Sequence, residues 1–161
     1  MKKIIITLPE IKLVGVMVKT NNQLEADPST AKIGLMSYQY FNESLANKIS
    51  NRKKIGTTYC VYTDYESDFT GHYNCLIGEE VEYFDSVAEN FKKIIIPEQR
   101  YIKFTTDPGT IPMVSINCWQ KIWQMDTVTL GGKRNYKADF DIYDERSYDP
   151  QNAIIDIYVG I

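Results

Sequence analysis

The sequence predicts an α+β fold in which one domain is assembled from two related halves, about residues 1–82 and 90–161, each running strand, helix, strand, strand. Three observations carry this reading. A strand hairpin occurs twice: Thr58 to Gly78 reads TYCVYTDYESDFTGHYNCLIG, and Asp139 to Gly160 reads DFDIYDERSYDPQNAIIDIYVG. Tyr59 corresponds to Phe140, Cys60 to Asp141, Val61 to Ile142 and Tyr62 to Tyr143. Each copy follows a stretch of helical periodicity. At 161 residues a single core is sufficient, since a chain of about this size buries roughly 70% of its unfolded surface. Two halves require a seam, and seams between substructures are common places for ligand pockets.

Ile4 to Leu8 and Lys12 to Lys19 have strand composition, separated by Pro9-Glu10. Gly15, inside the second of these, marks a bulge or a close backbone approach. Asp27-Pro28 reads as an N-cap followed by proline at the first helical position. Ile33, Met36, Tyr40, Phe41, Leu45 and Ile49 then recur at helical spacing, which predicts a helix from Pro28 to about Ser50. The basic run Arg52-Lys53-Lys54 would complement the dipole at that helix's end. Val81 to Ala88 continues a strand or forms a connector. Phe91 to Pro97 and Tyr101 to Thr105 open the second half, Pro112 starts a second helix through Trp123, and Leu130-Gly131-Gly132 breaks away toward the second hairpin.

The longest apolar runs are short, so no membrane span is expected, and Met1-Lys2-Lys3 is followed by too few apolar residues for a signal peptide. The expected address is the cytoplasm. Three cysteines without Cys-x-x-Cys spacing read as buried thiols in a reducing compartment. With one histidine there is no zinc set, and no cofactor is expected. A net charge of −3 and a pI near 5.2 argue against direct nucleic-acid binding, which needs a concentrated basic face.

Asp64, Glu66 and Asp68 alternate like the opening of a calcium loop, but Phe69 and Cys75 stand where that loop needs its glycine and its bidentate acid. A solvated hairpin tip is the better reading, with His72 as an ordinary surface residue of the same tip. Trp119 and Trp123, four apart, share a helix face, where core packing is the alternative to a ligand wall. On the last hairpin, Phe140 and Ile142 should face the helix layer, leaving Asp141 and Tyr143 on the opposite face with Cys60 and Tyr62. Asp141 is then either a solvated acid on open sheet or, if the halves close over it, an acid in an aromatic-walled cleft.

The run TYCVYTDYESDFTGHYNCLIGEEV, the segment CWQKIW, and RNYKADFDIYDE followed by IIDIYVGI, in that order after the IKLVGV strand, resemble the GyrI-like small-molecule-binding family. That family also supplies the effector-binding half of AraC-type and MerR-type multidrug regulators. The resemblance implies duplicated βαββ (SHS2-like) modules about a pseudo-two-fold axis, with a central ligand groove. In the family a glutamate of the last hairpin commonly meets cationic ligands; the matching residue here is Asp141, one methylene shorter. The two modules consume residues 1–161, so a stand-alone binding protein without a helix-turn-helix is expected.

The leading functional expectation is therefore binding of a small organic ligand, cationic or amphipathic, with a link to transcription regulation. Asp141 would supply the charge, Tyr62, Tyr143, Trp119, Trp123 and Cys60 the walls, and Tyr38 a rim. Two other classes stand beside it. One is an inhibitor acting on a protein partner such as a regulator or gyrase, through acids of which Glu79, Glu80 and Glu82 are the densest group. The other is a hydrolase of reactive electrophiles, in which Asp141 has its pKa raised and positions a water.

Overall fold

In the computed structural model, which describes residues 1–161, eight antiparallel strands form one sheet in the order β1-β6-β8-β7-β3-β4-β2-β5. The strands are β1 (Lys2–Leu8), β2 (Ile11–Thr20), β3 (Thr58–Thr63), β4 (Tyr73–Glu80), β5 (Lys92–Ile96), β6 (Gln99–Thr105), β7 (Ala138–Tyr143) and β8 (Asp156–Gly160). Four helices connect them: α1 (Asn22–Ala26), α2 (Ile33–Asn42), α3 (Met113–Trp123) and α4 (Thr127–Leu130). The unit β2-α2-β3-β4 repeats as β6-α3-β7-β8, and the two units abut along β3 and β7. In that register Cys60 lies opposite Asp141, and these are the residues that correspond in the repeated hairpin. The pseudo-two-fold axis therefore passes between them.

The units exchange their outermost strands. The first strand of the chain, β1, pairs with β6 of the second unit, whereas β5 pairs with β2 of the first. Each edge is thus extended by the strand preceding the other unit, which ties the units together beyond the central β3–β7 seam.

The sheet has a core on each face. On one face α2 packs Met36 and Tyr40 over Val14, Cys60, Cys75 and Ile77, and α3 packs Trp119 and Ile122 over Ile102, Phe104 and Ile157. The other face carries no helix, yet Leu13, Val61, Leu76, Tyr101 and Phe140 are fully buried there. All eight strands contribute to this third core, including Ile6 and Leu8 from one edge and Ile94 and Ile96 from the other. Burial without a covering layer requires the sheet to curl around its own side chains. Stacked and edge-on rings fill the interior, with Phe140 lying 4.6 Å from Tyr158 and 5.2 Å from Tyr101.

This arrangement corrects the expected facing of the last hairpin. Phe140 packs into the curled interior, and it is Asp141 and Tyr143 that share a face with the helices. A sheet usually buries its more apolar side against its helix layer; here curling offers a second interior, and that interior takes the most apolar side of the strand.

The long helix expected from Pro28 to Ser50 is also shorter. The Asp27 carboxylate does cap, accepting from the Ser29 backbone N–H at 2.9 Å, but it closes only a turn after α1, and α2 begins at Ile33. It ends where Ser44 takes a left-handed φ of 51°, and a separate 3-10 turn covers Leu45–Lys48. The basic run is not a helix terminus: Arg52 bridges Val81, and the Lys53 ammonium reaches Glu80 at 3.4 Å. Gly15 meets the close backbone approach expected of it. It pairs with Gly78, and a Cβ at either position would run into the opposing strand's carbonyl.

Candidate functional site

Tyr62 and Tyr143 stand on the same sheet face on either side of the pseudo-two-fold axis, each packing against both helix-covered cores. Between α2 and α3, above this seam, the two cores do not meet. They leave a cleft of about 940 Å³, within the range of sites for drug-sized molecules. Its walls are aromatic. Trp119 packs edge-on to Tyr62 at 5.5 Å, Tyr62 edge-on to Tyr73 at 5.6 Å, and Trp123 stacks flat on Phe69 at 5.7 Å and 6°. Phe69 belongs to the first hairpin's loop and Trp123 to α3, so this stack joins the halves across one wall. The mouth carries exposed apolar side chains, among them Phe41, Met113, Ile116 and Tyr148. Such a cluster on a protein surface marks a site for an apolar partner.

Asp141 lies one side chain beneath the cleft floor and is fully buried. Its Oδ1 accepts from Trp119 Nε1 at 2.9 Å, and its Oδ2 accepts from Ser115 Oγ at 2.8 Å and from the Tyr62 hydroxyl at 3.3 Å. All three donors line the cleft, and all are neutral. Burial pushes the Asp141 carboxyl up to about 7, against the opposing pull of the Ser115, Trp119 and Tyr62 hydrogen bonds. The group therefore changes charge near neutral pH, in a place with no cation to balance it.

Two charged side chains line the cleft itself, Glu25 and Arg134. Glu25 accepts from the backbone N–H groups of Lys32 and Ile33 at 3.0 and 3.2 Å, which holds its side chain at the start of α2. Arg134 donates to the buried Asp139 carboxylate, which also accepts from the Tyr65 hydroxyl at 2.6 Å and the Gly160 N–H at 2.8 Å. The Tyr65–Asp139 bond closes one end of the cleft across the halves. At the other end the Tyr148 hydroxyl donates to the Gly56 carbonyl at 2.8 Å. Gly56 has a φ of +90°, and a side chain there would collide with that hydroxyl.

Of the residues singled out from sequence, Tyr62, Tyr143, Trp119, Trp123 and Cys60 line one cleft, and Asp141 sits directly behind them. Tyr38 does not join them. It projects from the outer side of α2 and is 67% exposed. Sequence reasoning missed Ser115, Tyr65, Phe69, Tyr73 and Arg134. Ser115 had a usable signal, being four residues before Trp119 and hence on its face; the others come from loops and neighbouring strands that only tertiary pairing brings in. The acidic alternation of the hairpin tip is local capping: Asp68 accepts from the Thr70 N–H at 2.8 Å, and Glu66 faces His72 Nδ1 at 3.1 Å.

No helix is long and apolar enough to cross a membrane. The chain resembles proteins of known fold and named role over nearly its whole length. The Bacillus subtilis (strain 168) protein named "Putative transcriptional regulator protein YobU" is 28% identical over 150 residues, covering 93% of this chain and 91% of its own. The crystal structure of the integron cassette protein VCH_CASS2, from the mobile metagenome of Vibrio cholerae, superposes with a TM-score of 0.76 at 26% identity, covering 98% and 94% of the two chains. The structure of SAV2435 bound to tetraphenylphosphonium superposes with a TM-score of 0.72 at 17% identity, covering 99% and 93%. Residues 4–161 match the family model described as Cass2, integron-associated effector binding protein. The chain belongs to this effector-binding family, a GyrI-like domain.

Proposed function

We propose that this protein binds a small organic effector in the cleft between α2 and α3, with a preference for lipophilic cations. The observation that carries the reading is the buried Asp141 carboxylate, held by three neutral donors beneath an aromatic-walled cleft. A cation with an apolar body would pack on Trp119, Trp123 and Tyr62 while supplying the countercharge Asp141 lacks. The short aspartate arm fits this placement: the charge acts through the cleft floor rather than by touching the ligand. The tetraphenylphosphonium held by the related fold of SAV2435 is a molecule of this chemistry. Relatives named as transcription regulators support a role for the bound effector as a signal to transcription.

Both tryptophans of the chain line the cleft, so intrinsic fluorescence reports on occupancy directly. Titration with tetraphenylphosphonium should change that emission saturably, with neutral triphenylmethanol binding more weakly. At an effective dielectric constant of about 20, a unit charge roughly 7 Å from an ionised carboxylate gains about 2 kcal/mol, close to thirtyfold in Kd. Asp141→Asn should remove most of that gain for the cation and leave the neutral compound unchanged. Saturable binding of neither compound would refute the reading.

A further inference from the structure

The cleft contains a second unmet demand, on Arg134. Its side chain is only 8% exposed, and it lines the cleft. One nitrogen, Nη2, is satisfied by Asp139. The other two, Nε and Nη1, are buried without any acceptor. Buried donors are nearly always paired, and a charged group that leaves two of three nitrogens unpaired carries a desolvation cost. What surrounds them is aromatic: the guanidinium lies 4.3 Å from the centre of the Tyr136 ring and 5.7 Å from that of Trp119. A ring face compensates the charge in part, but it does not supply the in-plane oxygens that N–H groups seek.

We infer that Arg134 is a recognition residue for an oxygen acceptor, a carboxylate or carbonyl, on the bound effector. This rests on the cleft being the effector site, and it deepens that reading by specifying the ligand as a molecule polar at one end. Its apolar body lies on Trp119 and Trp123, and its acceptor reaches the Arg134 end, where Asp139, itself accepting from Tyr65, holds the guanidinium in place. Trp119 faces both charged groups: its Nε1 is committed to Asp141 and its ring lies toward Arg134. The site therefore offers a buried carboxylate and a set of unpaired guanidinium donors on either side of one indole. Tyr136 is the side chain that must yield for the acceptor to enter. It is partly exposed, in the connection between α4 and β7, and held by a ring contact to Tyr65 at 5.6 Å rather than by the core.

The test compares tetraphenylphosphonium with (4-carboxyphenyl)triphenylphosphonium and its methyl ester, by tryptophan fluorescence, in wild type and Arg134→Lys. Lysine keeps a positive charge for Asp139 but lacks the spare planar donors. The expected result is that wild type binds the carboxylate at least about tenfold more tightly than the parent cation, with the ester between. Arg134→Lys should lose that advantage, so that the carboxylate probe and the parent cation bind it with similar affinity. Equal affinity of wild type for the parent and both derivatives, or an advantage retained in Arg134→Lys, overturns the assignment of Arg134 alone. Failure of the parent cation to bind overturns the effector-site reading beneath it. A measurement needing no substitution accompanies this: in protein labelled with ¹⁵N arginine, the Arg134 Nε–H resonance should shift on adding the carboxylate probe and stay in place with the parent cation. A resonance that ignores the carboxylate probe at saturation overturns the proposal.

Discussion

Asp141→Asn should stabilise the free protein at alkaline pH and do progressively less as the pH falls. The carboxyl is buried, and its folded-state pKa is raised from 3.8 to about 7, so the folded state prefers the protonated form. The associated stability is fully present below the unfolded-state value and is lost as pH rises from about 4 to about 7, after which the cost is constant. A tenfold difference in proton affinity between the folded and unfolded states is worth about 1.4 kcal/mol, so above pH 7 the cost approaches about 4 kcal/mol, whereas at about pH 5 only about 1.7 kcal/mol of it has appeared. The amide is nearly isosteric and does not ionise. It can still accept from Trp119 or Ser115, although one of its two polar atoms becomes a donor. Urea unfolding of both proteins at about pH 5 and about pH 8 cancels every other titrating group. The stability difference should move in favour of the variant by roughly 2.5 kcal/mol between those conditions. The same pH dependence for both proteins would show that Asp141 is not a buried, reluctantly ionised acid, and the electrostatic argument for cation binding would fall with it.

Three further outcomes follow from the same geometry. A bound cation favours ionised Asp141, so the affinity for tetraphenylphosphonium should rise with pH through about 7, with proton release on binding that calorimetry in two buffers of different ionisation enthalpy would detect; Asp141→Asn should show neither. Tyr40→Phe removes one of two donors to the buried Glu79 carboxylate, the Tyr40 hydroxyl bond being 2.8 Å and the Thr58 bond 2.8 Å. It should cost about 1–3 kcal/mol, and because those bonds hold the burial-raised Glu79 pKa down, the loss should shrink on acidification, as chemical denaturation across pH would show. Gly15→Ala places a methyl against the Ile77 carbonyl and should lower stability by about 2 kcal/mol or more, whereas Gly34→Ala, with open space around its Cβ, should be neutral or mildly stabilising.

Much of the architecture is legible in the chain because the hairpin repeat encodes it. The correspondence of Cys60 with Asp141 and of Tyr62 with Tyr143 becomes, in the sheet, a register centred on the Cys60–Asp141 pair. Spacing alone puts Trp119 and Trp123 on one helix face, and both line the cleft. What is not legible depends on pairing between distant segments. The exchange of β1 and β5 leaves no local trace, since an edge strand's composition does not say which edge it extends. The inverted facing of Phe140 and Asp141 has the same origin: alternation shows that a strand has two faces, and only the curl of the whole sheet shows that both are interior. The helix expected over Pro28–Ser50 shows a genuine cap at Asp27 serving a turn, with Ser44 interrupting a hydrophobic period that continues past it. Arg134 opens the run RNYKADFDIYDE, but nothing in that run assigns it a role. Its position depends on Asp139 and Tyr65, which lie in different halves of the chain.

A crystal structure of the protein with tetraphenylphosphonium would show whether the cleft is the effector site and Asp141 its charge. The phenyl rings should lie against Trp119, Trp123 and Tyr62, with the phosphorus above Asp141 and the carboxylate still held by Ser115 and Trp119. A ligand seated elsewhere, such as the outer side of α2 around Tyr38, with the cleft unoccupied, would contradict that placement.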